Sequence, residues 1–405
     1  MKIIIVIISI TFVIFSSSFQ FIPSKIYWNI PSNICLQKGI NISLENYGII
    51  SNNEQMFHGD KIVTLYEKDV GLYPYLIKIN NSFNEFVNGG IPQNVDINKH
   101  LKKLQENINL IIPNKSFDGL AIIDIEKWRP YYEANWLSKD IYRVESKNLI
   151  IQRNQNDTKI NLFKLAEEEF DNAAYNFLTK TLKKCKLLRP FAKWGFYGLP
   201  ICDMNGDKRK GLFCYHTIND RMLDFLKYTD ALFPTAYIYG GHSYKTQKRY
   251  ITKVLEETKR LNKLLKNYGY EEKDIYVFHK IETYNINLKT SHFYDPYQLC
   301  ISQEESIKNK CNGIIIWSTS NNISSRCHSY KKYMELELGP HIRKFDEAYK
   351  LCENNPEDVF CHKNKNNNSI CNELLTLKNI KKWCYTEFYG KECFSLKVNS
   401  TSFVP

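Results

Sequence analysis

The chain has 405 residues, of which 43% are hydrophobic and 24% charged. That apolar content excludes a chain without a core, and the length allows two or three domains or one large α/β barrel. The formal net charge of +12 disfavours an acidic partner-seeking surface and favours polyanions: nucleic acid, acidic lipid or acidic polysaccharide.

Met1-Lys2 is followed by an almost wholly apolar run from Ile3 to Phe15 and then by Ser16, Ser17 and Ser18. One positive charge, a short apolar stretch and small residues predict a signal peptide over residues 1–18. The run is short for a membrane span, so no stable membrane anchor is expected; an uncleaved anchor is the alternative. Twelve cysteines fit an oxidising compartment. Asn-x-Ser/Thr sequons stand at Asn41, Asn80, Asn114, Asn156, Asn322, Asn367 and Asn399. Together these predict a secreted or lysosomal protein and turn the partner from nucleic acid toward an acidic polysaccharide.

Predicted strands follow in chain order: Lys25–Ile30, Lys61–Tyr66, Leu120–Ile125, Trp194–Tyr197, Leu232–Ile238, Ile275–Phe278 and Gly313–Trp317. Helical periodicity runs from about Leu162 to Cys185, with Phe170, Ala174, Phe177, Leu178, Leu182 and Cys185 on one stripe. Further helices are expected over about Tyr244–Leu265 and Tyr297–Lys308. Strands alternating with long helices imply parallel pairing, and about seven of them suit a (β/α) barrel better than an open sheet. The expected barrel domain covers 19–350. A helical stretch near Lys344–Leu351 then leads into a polar, cysteine-rich module over 351–393 and a tail over 394–405.

The segment Leu120 to Pro130 carries the sharpest chemical signal. An apolar strand runs into Asp124 and Glu126, and acids at i and i+2 of a strand share a face. At the C-terminal mouth of a barrel, like charges and partial burial would keep one of the two protonated. The spacing alone equally allows a strand that has ended with its acids in water. Aromatics close other strands: Tyr197, Tyr237 and Trp317, the last followed by Ser318. Each by itself reads as core packing; together with the acids they read as a sugar cleft. No His-Glu-x-x-His or Gly-x-Ser-x-Gly pattern occurs, so neither a metal site nor a serine esterase is expected, and no cofactor is implied.

These residues resemble the hyaluronidase family. The resemblance runs from Tyr27-Trp28-Asn29-Ile30-Pro31 to Cys327. It includes Asn88–Gln93, Asp124–Pro130, Asn135-Trp136, Trp194–Pro200, Pro234–Tyr237 and Gly313–Trp317. It implies a distorted TIM-like barrel with an EGF-like C-terminal module. The implied activity is retaining, substrate-assisted hydrolysis of hyaluronan or chondroitin as an endo-β-N-acetylhexosaminidase. Glu126 matches the acid/base and Asp124 the residue orienting the acetamide. Tyr197, Tyr237, Trp317, Arg129, Ser318 and Tyr73 fall in the substrate-binding set. The family pairing implies disulfides Cys35–Cys327 and Cys202–Cys214. Cys352–Cys371 and Cys384–Cys393 are expected in the module, leaving Cys361 over; Cys300 and Cys311 are a candidate pair, and Cys185 a buried thiol. Thr283 departs from the family, which tends to carry an aromatic there: either Tyr284 substitutes or that side of the cleft differs. A secreted glycosaminoglycan-binding protein without catalysis is the alternative function. The sequence sets no oligomeric state.

Overall fold

The computed structural model describes residues 25–79, 84–154, 161–204, 213–285, 290–354 and 371. The predicted signal peptide, the tail, the Cys384–Cys393 pair, Cys361 and nearly all of the 351–393 module lie outside these residues.

Parallel strands form two sheets. In one the order is Ile49–Ile50, Lys25–Trp28, Gly313–Trp317, Asp274–Lys280, Ala231–Leu232. In the other it is Ile62–Leu65, Leu120–Ile123, Lys193–Phe196. A parallel bridge between Tyr197 and Phe233 joins them on one side. On the other side the Asn29 amide donates to the Thr64 hydroxyl at 2.7 Å. Among the described residues no ladder links Ile49–Ile50 to Ile62–Leu65. The fold is thus α/β with parallel sheets, and closure into a barrel remains an expectation of the family likeness.

Alternation along the central strand decides what faces where. Leu120 and Ile122 join Ile62, Phe233, Phe278 and Ile315 in the apolar filling between the sheets. Ala121 and Ile123 face outward into a second cluster with Phe170, Phe177 and Trp194. The ladder continues for one residue past the strand, with the Asp124 N–H donating to Leu65 O at 2.8 Å. Asp124 and Glu126 therefore carry the inward parity of Leu120 and Ile122. Gly195 allows the neighbouring strand to come this close, since a Cβ there would stand 2.2 Å from the Ala231 carbonyl oxygen.

The helix Leu162–Leu188 buries the stripe expected of it, from Phe170 to Cys185. The helices Tyr244–Asn267 and Pro296–Lys308 are present, the first N-capped by Ser243 and the second by Asp295 in a capping box with Gln298. Helices at Ile97–Ile111, Asp140–Arg153 and Ile323–Tyr333 were not expected. Neither were two antiparallel hairpins, Tyr75–Lys78 with Asn84–Val87 and Glu282–Asn285 with Thr290–Phe293. The strand expected over Leu232–Ile238 forms a regular ladder at Ala231–Leu232 and beyond it only single bridges, Phe233 with Tyr197 and Thr235 with Phe278, since Pro234 brings no N–H to the pairing.

Cys35 bonds to Cys327 and Cys202 to Cys214. Cys371 bonds to Cys300, which corrects both the Cys352–Cys371 and the Cys300–Cys311 pairings. A cysteine forms one such bond, and connectivity depends on which segments fold together rather than on spacing. Here Cys371 is buried against the Pro296–Lys308 helix, which carries Cys300. Cys185 is an unpaired buried thiol. The Cys35–Cys327 bond spans 292 residues and ties the first strand's neighbour to a late helix. Replacing both of these cysteines by serine should lower stability by about 3–5 kcal/mol, since long loops lose most when opened. Denaturant unfolding of wild type and the double variant checks this.

Candidate active site

The ends of the parallel strands surround a cavity of about 610 Å³, whose walls include Glu126, Arg129, Tyr197, Tyr237, Lys280 and Trp317. Glu126 and Arg129 come from the loop after Leu120–Ile123, and each of the others from a different strand end or the loop that follows it, which is where α/β folds place chemistry.

Asp124 is 6% exposed, whereas the Glu126 side chain reaches the solvent of the cavity. The two carboxyls are hydrogen-bonded to each other. Burial is the first cause pushing Asp124 up, to about 9, followed by the charges of Glu126 and Glu67. Glu126 is also raised, again chiefly by desolvation, while Lys139 and Lys280 pull it back down. Protein crowding around its inner side outweighs its contact with cavity water. One proton between two carboxyls near neutrality is the direct consequence. The alternative of two acids simply solvated at a strand end is set aside by this burial.

The loop after Glu126 is fixed from beneath. Asn135 is fully buried; its oxygen accepts from the Arg129 N–H at 2.7 Å and its amide donates to Tyr131 O at 2.8 Å. The Arg129 guanidinium donates to Ala134 O at 2.8 Å and lies 4.4 Å from the Trp136 ring centre. Lys139 donates to the backbone carbonyl of Glu126 and, at 3.3 Å, to that of Lys127. Glu67 accepts from the Glu126 N–H at 3.3 Å.

Opposite the acids stand the aromatics. The Tyr197 hydroxyl donates to the Tyr237 hydroxyl at 3.1 Å, which leaves the Tyr237 proton available to an acceptor in the cavity. Burial holds both phenols well above their ordinary value, so both stay protonated. Tyr237 stacks on Trp317, with ring centres 5.9 Å apart and planes at 17°. The Trp317 N–H donates to the Tyr66 hydroxyl at 3.2 Å.

Two expected substrate contacts do not reach the cavity. Tyr73 is 1% exposed and stacks under Trp128 at 5.3 Å, accepting the Trp128 N–H at 3.3 Å. It supports the loop after Glu126 from the core. Ser318 is buried and donates to Glu282, which also holds Arg326 and Tyr330. Thr283 is buried too, and the Tyr284 side chain lies outside the described residues. Sequence reasoning missed Tyr66, Glu67, Lys139, Tyr239 and Lys280. The strand-end rule applied to Lys61–Tyr66 and Ile275–Phe278 would have found all but Lys139 and Tyr239.

The sequence model of the hyaluronidase family matches residues 16–386. The chain is 32% identical over 381 residues to a chondroitin hydrolase of Caenorhabditis elegans, covering 91% of this chain and 80% of that protein. It is 31% identical to the hyaluronidase Tab y 2.0101 of Tabanus yao, covering 78% and 91%. The crystal structure of bee venom hyaluronidase in complex with a hyaluronic acid tetramer superposes with a TM-score of 0.73 at 26% identity, covering 79% of this chain and 99% of that one. This chain belongs to the hyaluronidase family of glycoside hydrolases.

Proposed function

We propose that the protein is an endo-β-N-acetylhexosaminidase that cleaves hyaluronan, chondroitin or both with retention, using the substrate's acetamide as nucleophile. The observation that carries this is the Asp124–Glu126 pair, raised by burial, with Glu126 on the wall of the cavity that Tyr197, Tyr237 and Trp317 also line and Asp124 buried beside it. The named activities of the Caenorhabditis elegans and Tabanus yao relatives support the substrate class.

In this mechanism the hexosamine enters with its acetamide between Asp124 and Tyr237. The acetamide N–H donates to Asp124, which favours the ionised form of that carboxyl and shifts the shared proton to Glu126. Tyr237 donates to the acetamide oxygen and aligns it under the anomeric carbon; the acetyl methyl rests against Trp317. The oxygen attacks the anomeric carbon as Glu126 gives its proton to the leaving glycosidic oxygen. Asp124 then stabilises the positive charge of the cyclic oxazolinium. Glu126, now a carboxylate, takes a proton from water as the water opens that ring. Two inversions give net retention, with no enzyme nucleophile.

The basic walls, Arg129, Lys139 and Lys280, suit a uronate-bearing polymer. The disulfides seen among the described residues fit an oxidising, secretory location. The test is release of reducing ends from hyaluronan and from chondroitin, with the anomer of the fresh end followed by NMR. The expected result is β-product from at least one polymer. Initial α-product would rule out the acetamide route, and no cleavage of either polymer would rule out this function.

A further inference from the structure

Among the described residues, the cations Arg129, Lys139 and Lys280 reach the cavity, and the first two have oxygen partners. Lys139 donates to the carbonyls of Glu126 and Lys127, and Arg129 to that of Ala134. Lys280 is different. Its ammonium lies 4.6 Å from the Tyr237 ring centre, 5.2 Å from Trp317 and 5.7 Å from Tyr239. Among the described residues, no oxygen stands within hydrogen-bonding or ion-pair distance of it. Lys280 and Trp317 are register partners on adjacent strands, so the ammonium and the indole share one wall of the cavity. The acidic groups that act on it are Glu126 and Glu282. Glu282 is already engaged by Arg326, Ser318 and Tyr330.

A partly desolvated ammonium without an anion is costly, and ring faces compensate it less well than a charge-assisted hydrogen bond. The rings nevertheless fix its position. That position adjoins the place where Tyr237 and Trp317 would hold the acetamide. In a polymer that alternates hexosamine with uronate, a carboxylate lies one sugar away on either side.

We propose that Lys280, held by the rings of Tyr237, Trp317 and Tyr239, binds the carboxylate of the uronate next to the hexosaminide being cleaved. It is thus a specificity residue, and the inference rests on the function proposed above. Cleavage then depends on the negative charge of the neighbouring sugar, and not only on the acetamide.

The experiment compares wild type, Lys280→Met and Lys280→Arg on whichever of hyaluronan and unsulfated chondroitin the wild type cuts, on the same polymer with its carboxyls reduced to alcohols, and on sulfated chondroitin. Lys280→Met should lose about ten- to a hundredfold in kcat/KM on the native polymer, the scale of a charge-assisted hydrogen bond. It should lose little on the reduced polymer, and Lys280→Arg should keep most of the native rate. If wild type leaves the reduced polymer uncut, the same comparison is made by binding affinity for oligosaccharides of the two kinds. Equal losses on both polymers, with a shifted pH profile, would mean that Lys280 acts through Glu126, and would overturn the proposal. So would a Lys280→Met protein that matches wild type on the native polymer, or a loss confined to sulfated chondroitin, which would make sulfate the bound group. If wild type cleaves neither hyaluronan nor chondroitin, it is the proposed function that fails.

Discussion

Glu126→Gln should cut hyaluronan or chondroitin about 10²- to 10⁴-fold more slowly in kcat, with KM little changed. The amide keeps the shape of the side chain and can still accept a hydrogen bond from Asp124. What it lacks is a proton for the leaving oxygen and, afterwards, a base for water. Neighbouring Glu67 cannot take over, because its carboxylate is turned to the Glu126 backbone N–H. Because Glu126 borders cavity solvent, the replacement leaves no buried polar group unsatisfied, and the unfolding midpoint should move little. Paired measurements of reducing-end release and thermal unfolding separate the two effects. A variant that keeps wild-type kcat would sink the assignment of Glu126 as acid/base.

The strand-end rule brought Asp124, Glu126, Tyr197, Tyr237 and Trp317 onto one list, and these residues do meet around one cavity or directly behind it. The rule works because parallel strands deliver all their C-terminal ends to the same side of the sheet. It needs only strand positions, which the apolar runs at Leu120 and Gly313 mark clearly. Orientation is less legible. Tyr73 and Ser318 are the right residue types near the right strand ends, yet each turns into packed protein. Whether a side chain faces a cavity depends on partners distant in sequence, such as Trp128 for Tyr73 and Glu282 for Ser318. Lys139 shows the same limit, since it reaches Glu126 from a turn that carries no strand signal. The helix Ile97–Ile111 did carry a signal, with His100, Leu104 and Ile108 buried at every fourth position. The Cys300–Cys371 bond joins residues 71 apart through folding that no local pattern encodes.

Asp124→Asn should lose activity and gain stability. The loss follows from the oxazolinium, which would face a neutral amide in place of a carboxylate; removing one preorganised electrostatic partner typically costs about 10²–10³ in kcat. The gain follows from burial. Asp124 sits at 6% exposure and is pushed up to about 9 by desolvation first and by Glu126 and Glu67 next. A carboxyl raised in the folded state stabilises the fold below its unfolded value of about 3.9, and that contribution is lost as pH rises toward the folded value. At pH 7 the native protein therefore holds a proton that the unfolded chain would release. Asparagine has no proton to release, and its amide can donate to Glu126 where the Asp124 hydroxyl did. The variant should be more stable than wild type at pH 7 by about 1–2 kcal/mol, the usual scale when a strained active-site group is replaced. That margin should shrink as pH falls toward 4, where the unfolded wild-type chain is protonated as well. Denaturant unfolding at both pH values, alongside kcat, tests the pair of effects. Equal stability of the two proteins at pH 7 would mean that Asp124 is not held protonated by burial, and the proton shared with Glu126 would lose its physical basis.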